Sequence, residues 1–392
     1  MANDLLFRIP LGDWADSAVD WMTTNLKGLF DWVSGDVLLP MYRFLQNFLI
    51  SPNFISIAIV FVAILAIWRG WKVAAFGAGA VLLGYVSHEW ITNSSGLGLS
   101  PWILAIIYVA IAAGAYFWKG RDIGLAVFAA LLLAFAIDGW FIVDRVTDAG
   151  VAVSGTDNLP PWTMIALLTF VAYATKGWKL ALGSALGFAV IYGVDQWDNA
   201  MLSFALVLVA SLIAIAIGIP VGILAAKSKP VAAIVRPILD FLQTMPAFVY
   251  LIPFVMLFRI GVVPGIVATI LFSIAPAVRF TELGIKQVDK EVVEAAHAFG
   301  AHPARILAQI QLPLARQTIM GGVNQVIMLA LSMVVISGMV GAAGLGRDVY
   351  TSVTQVNMVL GAESGLAVVI LAMYLDRTTA AFGTSKHQQA AA

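Results

Sequence analysis

The chain has 392 residues, of which 61% are hydrophobic and 11% charged, and its 22 Lys/Arg offset 22 Asp/Glu. This composition excludes a water-soluble globular domain, and several apolar stretches approach the ~20 residues that cross a bilayer, so the chain reads as an all-α polytopic membrane protein. There is no cysteine, which excludes disulfides and thiolate metal sites, and no nucleic-acid partner is expected.

The N-terminus lacks a basic stretch followed by a short apolar core, so no cleavable signal peptide is expected. Residues 1–50 read as periplasmic or interfacial. "WADSAVDWMTTNLKGLFDWV" (14–33) interleaves Trp, Val, Leu and Phe with Asp, Thr and Lys, the pattern of an amphipathic helix lying on a membrane surface. About eleven spans follow, at 53–68, 73–87, 102–118, 123–143, 162–175, 180–194, 200–226, 237–258, 262–281, 316–340 and 362–378. The short ones rely on Lys, Arg and Trp snorkelling at their ends.

The first half repeats itself. "IWRGWKVAAFGAGAVLLGYVSHEW" (67–90), "FWKGRDIGLAVFAALLLAFAIDGW" (117–140) and "ATKGWKLALGSALGFAVIYGVDQW" (174–197) align without gaps. Each has Lys or Arg, then Gly, then an apolar helix, then Trp twenty residues after the Gly. The preceding helices start alike, at "SPNF" (51–54), "SPWI" (100–103) and "PPWT" (160–163). One helical hairpin is therefore present three times, and because each copy crosses twice, extra copies leave the downstream orientation unchanged. His88, Asp138 and Asp195 sit two residues before the closing Trp, as solvated loop ends rather than an ion site.

Charge sets the orientation. The turns "WRGWK" (68–72), "WKGRD" (118–122) and "TKGWK" (175–179) are basic, as is "KSKPVAAIVR" (227–236). Placing them inside gives 16 Lys/Arg against 7 Asp/Glu on the inner side and 6 against 15 on the outer. The positive-inside rule then puts the N-terminus out, the C-terminus in, and the 282–315 loop in the cytoplasm.

That loop carries Glu294, Ala295 and Ala296, then Gly300, then Ile310, Leu312 and Pro313, in the spacing E-A-A-x3-G-x9-I-x-L-P. A short helix ending at Gly300 and followed by a second gives a compact elbow. Gly300 permits a left-handed turn, the alanines allow close approach to a partner, and Glu294 can accept its hydrogen bonds. Ordered loops of this length are uncommon without a role. The spacing resembles the coupling loop of permease subunits in binding-protein-dependent ABC importers. "RPILDFLQTMPAFVYLIPFVMLF" (236–258), "GVNQVIMLALSMVVISGMVGAAGLG" (322–346), "LDR" (375–377) and, more loosely, "IPLGDWADSAVDWM" (9–22) are similar to one subfamily. Its members are the permeases for glycine betaine, proline betaine, choline and related quaternary or methylated amines, trimethylamine N-oxide included.

The resemblance implies a multi-pass protein of the bacterial inner membrane with a type I ABC importer permease core at 199–380. Before it come the segment 1–50, two added hairpin copies at 51–150 and a third at 151–198. A tail, 381–392, follows it. Family members usually carry one hairpin copy. The implied partners are two ABC ATPase subunits, a periplasmic substrate-binding protein holding the cation in an aromatic cage, and a second copy of the permease. No G-x-x-x-x-G-K-[ST] occurs, so the chain is read as non-catalytic, with ATP and Mg in the partner ATPase and no cofactor of its own. "GAAGLG" (341–346) lacks the glycine spacing of a dinucleotide loop and reads as the outer turn between the last two spans.

Pro246 and Pro253 interrupt the span 237–258 and free carbonyls that water in a cavity can satisfy. Gln243, Thr244 and Tyr250 flank that break, while Asn324, Gln325 and Ser332 lie on a later core helix. Such neutral polar groups suit a zwitterion's path, and each equally suits helix packing. The alternative is an ion-coupled secondary transporter of small zwitterions. It would need intramembrane carboxylates or His near the midplane, whereas the ionisable residues here fall near span ends, and the four His form no ligand cluster.

Overall fold

The computed structural model describes residues 11–52, 54–69, 78 and 161–383. The expected spans 102–118 and 123–143, nearly all of 73–87, and His88 and Asp138 lie outside the described residues. So does the tail from residue 384. Every described element is a helix. The N-terminal segment forms α1 (Leu11–Asn25), α2 (Lys27–Trp32), a π-helical turn (Val33–Leu38) and α3 (Leu39–Ile50). Trp14, Trp21 and Trp32 are more than half exposed. The π turn ends two residues before Pro40, whose missing N–H leaves the carbonyl of Asp36 without its usual i+4 donor, so the wider turn is where the ladder gives way.

The chain divides into two compact units, residues 46–197 and residues 1–45 with 198–392. In the first lie α4 (Phe54–Arg69), α5 (Pro161–Lys176) and α6 (Trp178–Gly193), the described parts of the first and third hairpins. The α5–α6 turn is a single residue, Gly177 at φ +84, in the left-handed region that glycine enters without steric cost. Phe61 meets Phe170 at 4.8 Å between ring centroids, and Trp162 meets Tyr192 edge-on at 5.6 Å, which joins the helices through aromatic faces.

The second unit holds α7 (Trp197–Lys227), α8 (Lys229–Thr244), α9 (Ala247–Phe258), α10 (Val262–Lys286), α11 (Lys290–Ala298) and α12 (Pro303–Ile306). A π-helical turn (Leu307–Gln311) leads into α13 (Leu312–Ser332), followed by α14 (Val334–Met339), α15 (Leu345–Thr354) and α16 (Met358–Gly383). By length and composition four described helices can cross a membrane: α7, α10, the continuous run Pro303–Met339 and α16. The bent pair α8–α9 makes a fifth if it is one span.

The centre of this unit is α10, with 16 of its 25 residues buried. Its neighbours approach it through glycine. A Cβ on Gly218 of α7 would stand 2.5 Å from Ala277 Cβ, and one on Gly222 would stand 2.6 Å from the Val278 carbonyl oxygen. From the other side, a Cβ on Gly322 of α13 would meet Phe280 Cβ at 2.6 Å. Helices gain no hydrophobic attraction for one another against lipid, so van der Waals contact of this closeness holds them together.

Three expectations need correction. The span 237–258 does break at Pro246 as expected, bending 97° from α8 into α9, but α8 begins at Lys229, inside the stretch read as a basic loop. Met245 is extended (φ −73, ψ 130) because the following Pro246 disfavours the α region in the residue before it. Pro253, by contrast, lies inside α9 without ending it. The loop 282–315 is also shorter than expected. α10 runs to Lys286, and Ile310, Leu312 and Pro313 belong to the helical run that starts at Pro303. Finally, "GAAGLG" is more than a turn. Gly341 (φ +94) and Gly344 (φ +117) reverse the chain, and the Leu345 amide donates to Ser203 Oγ at 2.8 Å, which starts α15. Asn199 Nδ2 then donates to Asp348 Oδ2 at 2.6 Å, fixing its first turn to α7.

Gly346 sits where α15 crosses α14, and a Cβ there would run into the Val334 carbonyl. Gly346→Ala should therefore destabilise the protein by about 1–3 kcal/mol, the usual cost of overpacking, read as a lower unfolding temperature in detergent. Gly365→Ala, where an added Cβ meets nothing within 4 Å, should leave that temperature equal or raised.

Candidate functional site

The sequence placed its coupling residues on an elbow, and the local geometry of that elbow follows from capping. Asp289 Oδ1 accepts from the Glu291 amide at 3.0 Å, which satisfies one of the free N–H groups at the start of α11. At the other end the Ala301 amide donates to the Ala296 carbonyl at 3.1 Å and the Gly300 amide to the His297 carbonyl at 2.9 Å. That pair of bonds is a Schellman motif, and it requires the left-handed residue that Gly300 supplies at φ +73. No atom lies within 4 Å of a Cβ added at Gly300, so backbone conformation and not packing demands glycine there. His302 Nδ1 receives the Ala304 amide at 3.3 Å, and Pro303 opens the next helix. Pro313 offers no N–H to the Gln309 carbonyl, and the π turn Leu307–Gln311 lies just ahead of it.

Of the sequence-derived coupling residues, Glu294, Ala295, Gly300 and Pro313 are exposed, and Ala296, Ile310 and Leu312 are half-buried. A cleft of about 410 Å³ runs beside the elbow, with Lys227, Lys286 and Lys290 on its walls and Glu294 and His297 facing it from α11. Sequence reasoning missed Phe299, which is 91% exposed at the tip of the elbow.

It also missed the ion pairs above the elbow. Glu282, with only 8% of its side chain exposed, accepts from Arg236 Nη2 and from Lys286 Nζ, both at 2.6 Å. Arg279 pairs with Asp240. The Arg236–Glu282 and Arg279–Asp240 pairs tie α8 to α10, and the signal lay in the sequence: Arg236 and Asp240 are four residues apart, as are Ile234 and Ile238 beside them. That period marks an amphipathic helix from Lys229 onward.

The path candidates do not converge on one place. Thr244 and Pro246 are exposed at the α8–α9 break and Gln243 is half-buried, while nothing is described of the Tyr250 side chain. Gln325 and Ser332, seven residues apart, are exposed on one face of α13. Asn324 is engaged otherwise. Its amide donates to Asp376 Oδ1 at 3.1 Å and its carbonyl oxygen accepts from Thr379 Oγ1 at 2.5 Å, which joins α13 to α16.

Long apolar helices packed through glycine, with a charged, capped elbow among them, are those of an integral membrane protein. Residues 218–377 match the family described as binding-protein-dependent transport system inner membrane component. The chain is 50% identical over 230 residues to the glycine betaine/carnitine transport permease of Listeria monocytogenes, covering 58% of this chain and 82% of that protein. Against the glycine betaine transport system permease of Bacillus subtilis it is 48% identical over 227 residues, 58% of this chain and 80% of the relative. The trimethylamine N-oxide transport system permease of Ruegeria pomeroyi is 40% identical over 223 residues, 57% of this chain and 34% of that protein. The chain belongs to the family of inner membrane components of binding-protein-dependent transport systems.

The Glu282 geometry makes a non-additive effect measurable. Arg236→Ala or Lys286→Ala alone leaves the buried carboxylate one cation, and each should lower the unfolding temperature only slightly. Both together leave it uncompensated, and the double variant should lose more than the two single losses combined. Adding Glu282→Gln to the double variant should recover part of that loss.

Proposed function

We propose that this chain is the permease subunit of an ATP-driven importer for a quaternary or methylated amine: glycine betaine, proline betaine, choline or trimethylamine N-oxide. The observation that carries this reading is the elbow 289–303, a capped, water-exposed turn bearing E-A-A-x3-G between the long apolar helices α10 and α13. The names of the relatives support the amine class. A periplasmic binding protein delivers the substrate, two copies of the permease form the path, and two ATPase subunits dock on the Glu294–Gly300 elbow, with Ile310, Leu312 and Pro313 bracing its far arm.

In this reading the protein lies in the bacterial inner membrane with eleven spans, N-terminus out and C-terminus in, around a type I core at 199–380. Residues 51–150 carry two extra copies of the hairpin, residues 151–198 the third, and residues 1–50 lie at the periplasmic face of that membrane. Gln243, Thr244 and Tyr250 around the Pro246 break, and Gln325 and Ser332 on α13, offer neutral polar groups to a zwitterion, while Asn324 anchors α13 to α16. Neutral groups suit the cargo because a fixed charge in a low-dielectric path would trap either end of it.

In proteoliposomes containing permease, ATPase and binding protein, uptake of radiolabelled amine should require internal ATP and should survive an uncoupler. Uptake that collapses with the ion gradient while ATP remains would reject an ATP-driven importer. Calorimetry of the binding protein with betaine, choline and trimethylamine N-oxide assigns the cargo.

A further inference from the structure

Phe299 is the most exposed large apolar side chain among the described residues, at 91%. Most of the others lie on long apolar helices, where lipid is the natural neighbour. Phe299 is different. It follows Lys290, Glu291, Glu294 and His297 on α11 and precedes His302 and Arg305, all of them exposed. A segment so charged stands in water, and an aromatic ring left in water there calls for a protein partner. The ring is also held ready. Phe299 donates its amide to the Ala295 carbonyl at 3.1 Å, and the next two residues, Gly300 and Ala301, are fixed by the Schellman bonds they donate. A ring mounted on so constrained a turn loses little freedom on docking, which favours tight seating.

We propose that Phe299 is the apolar anchor of the elbow, the side chain that enters a pocket on the cytoplasmic ATPase. This rests on the importer reading above and goes beyond it by assigning the contact energy to a residue that the E-A-A-x3-G-x9-I-x-L-P pattern leaves unspecified. Glu294 and the cationic wall at Lys227, Lys286 and Lys290 then orient the docked subunit, and the ring supplies the hold.

The test uses the intact importer in lipid nanodiscs. It measures affinity of the ATPase for the permease, binding-protein-stimulated ATP hydrolysis, and the unfolding temperature of the permease. Phe299→Ala should weaken ATPase affinity roughly ten- to hundredfold, the equivalent of burying one Phe side chain, and lower stimulated hydrolysis in step. The permease's own unfolding temperature should not move, because so exposed a ring contributes little packing to the fold. Phe299→Leu should recover most of the affinity, and Val353→Ala, on the separate helix α15, should leave it unchanged. Unaltered affinity in Phe299→Ala overturns the anchor and leaves the importer reading standing. Lost affinity accompanied by a lower unfolding temperature also overturns it, since the residue would then be structural. A wild-type permease that retains no ATPase overturns both.

Discussion

Three helices that touch backbone to backbone set the terms for the rest of this molecule. Lipid gives apolar helices no reason to associate, so α7, α10 and α13 are held by contact close enough to leave no room for a Cβ at Gly218, Gly222 or Gly322. That geometry makes α10 a fixed post. Its buried end places Glu282 where Arg236 of α8 and Lys286 can both reach it, and the elbow opens at Asp289, three residues beyond its last residue. Losing the glycine contacts would move the elbow as well as the core.

Among the described residues the long helices are interrupted at a few points, and chemistry gathers there. The bilayer supplies no water to unpaired backbone groups, so a break must be capped or walled by protein. The α8–α9 break exposes Thr244 and Pro246, the Gly341–Gly344 reversal is caught by Ser203, and the elbow closes on its own Schellman bonds. Each break costs hydrogen bonds that a straight helix would keep, and each brings a side chain to a position that a straight helix could not.

The sequence was most readable where a single residue type had a single physical reason. The helix starts at 54 and 161, the turn at Gly177 and the left-handed Gly300 all followed from proline, glycine and charge in runs with a plain period. It was least readable where two signals overlapped. Lys227, Lys229 and Arg236 looked like a cytoplasmic loop because their charge masked the four-residue spacing of an amphipathic helix. The small residues of 341–346 looked like a turn because nothing local announces that Ser203 and Asn199, some 140 positions earlier in sequence, will catch a new helix. Among the site residues, the motif positions were legible, and Phe299 was not, since an aromatic residue in an apolar chain carries no warning that it will end in water.

An ATPase can dock on the elbow only if the elbow and the turn after α15 open on opposite sides of the membrane. The chain has no cysteine, so Phe299→Cys and Val356→Cys each create a single labelling site, at positions 91% and 83% exposed. In sealed vesicles of known orientation, a membrane-impermeant maleimide should reach residue 299 only from the cytoplasmic side and residue 356 only from the periplasmic side. Labelling of both from the same side would contradict the proposed topology, and with it the docking of an ATPase on the elbow.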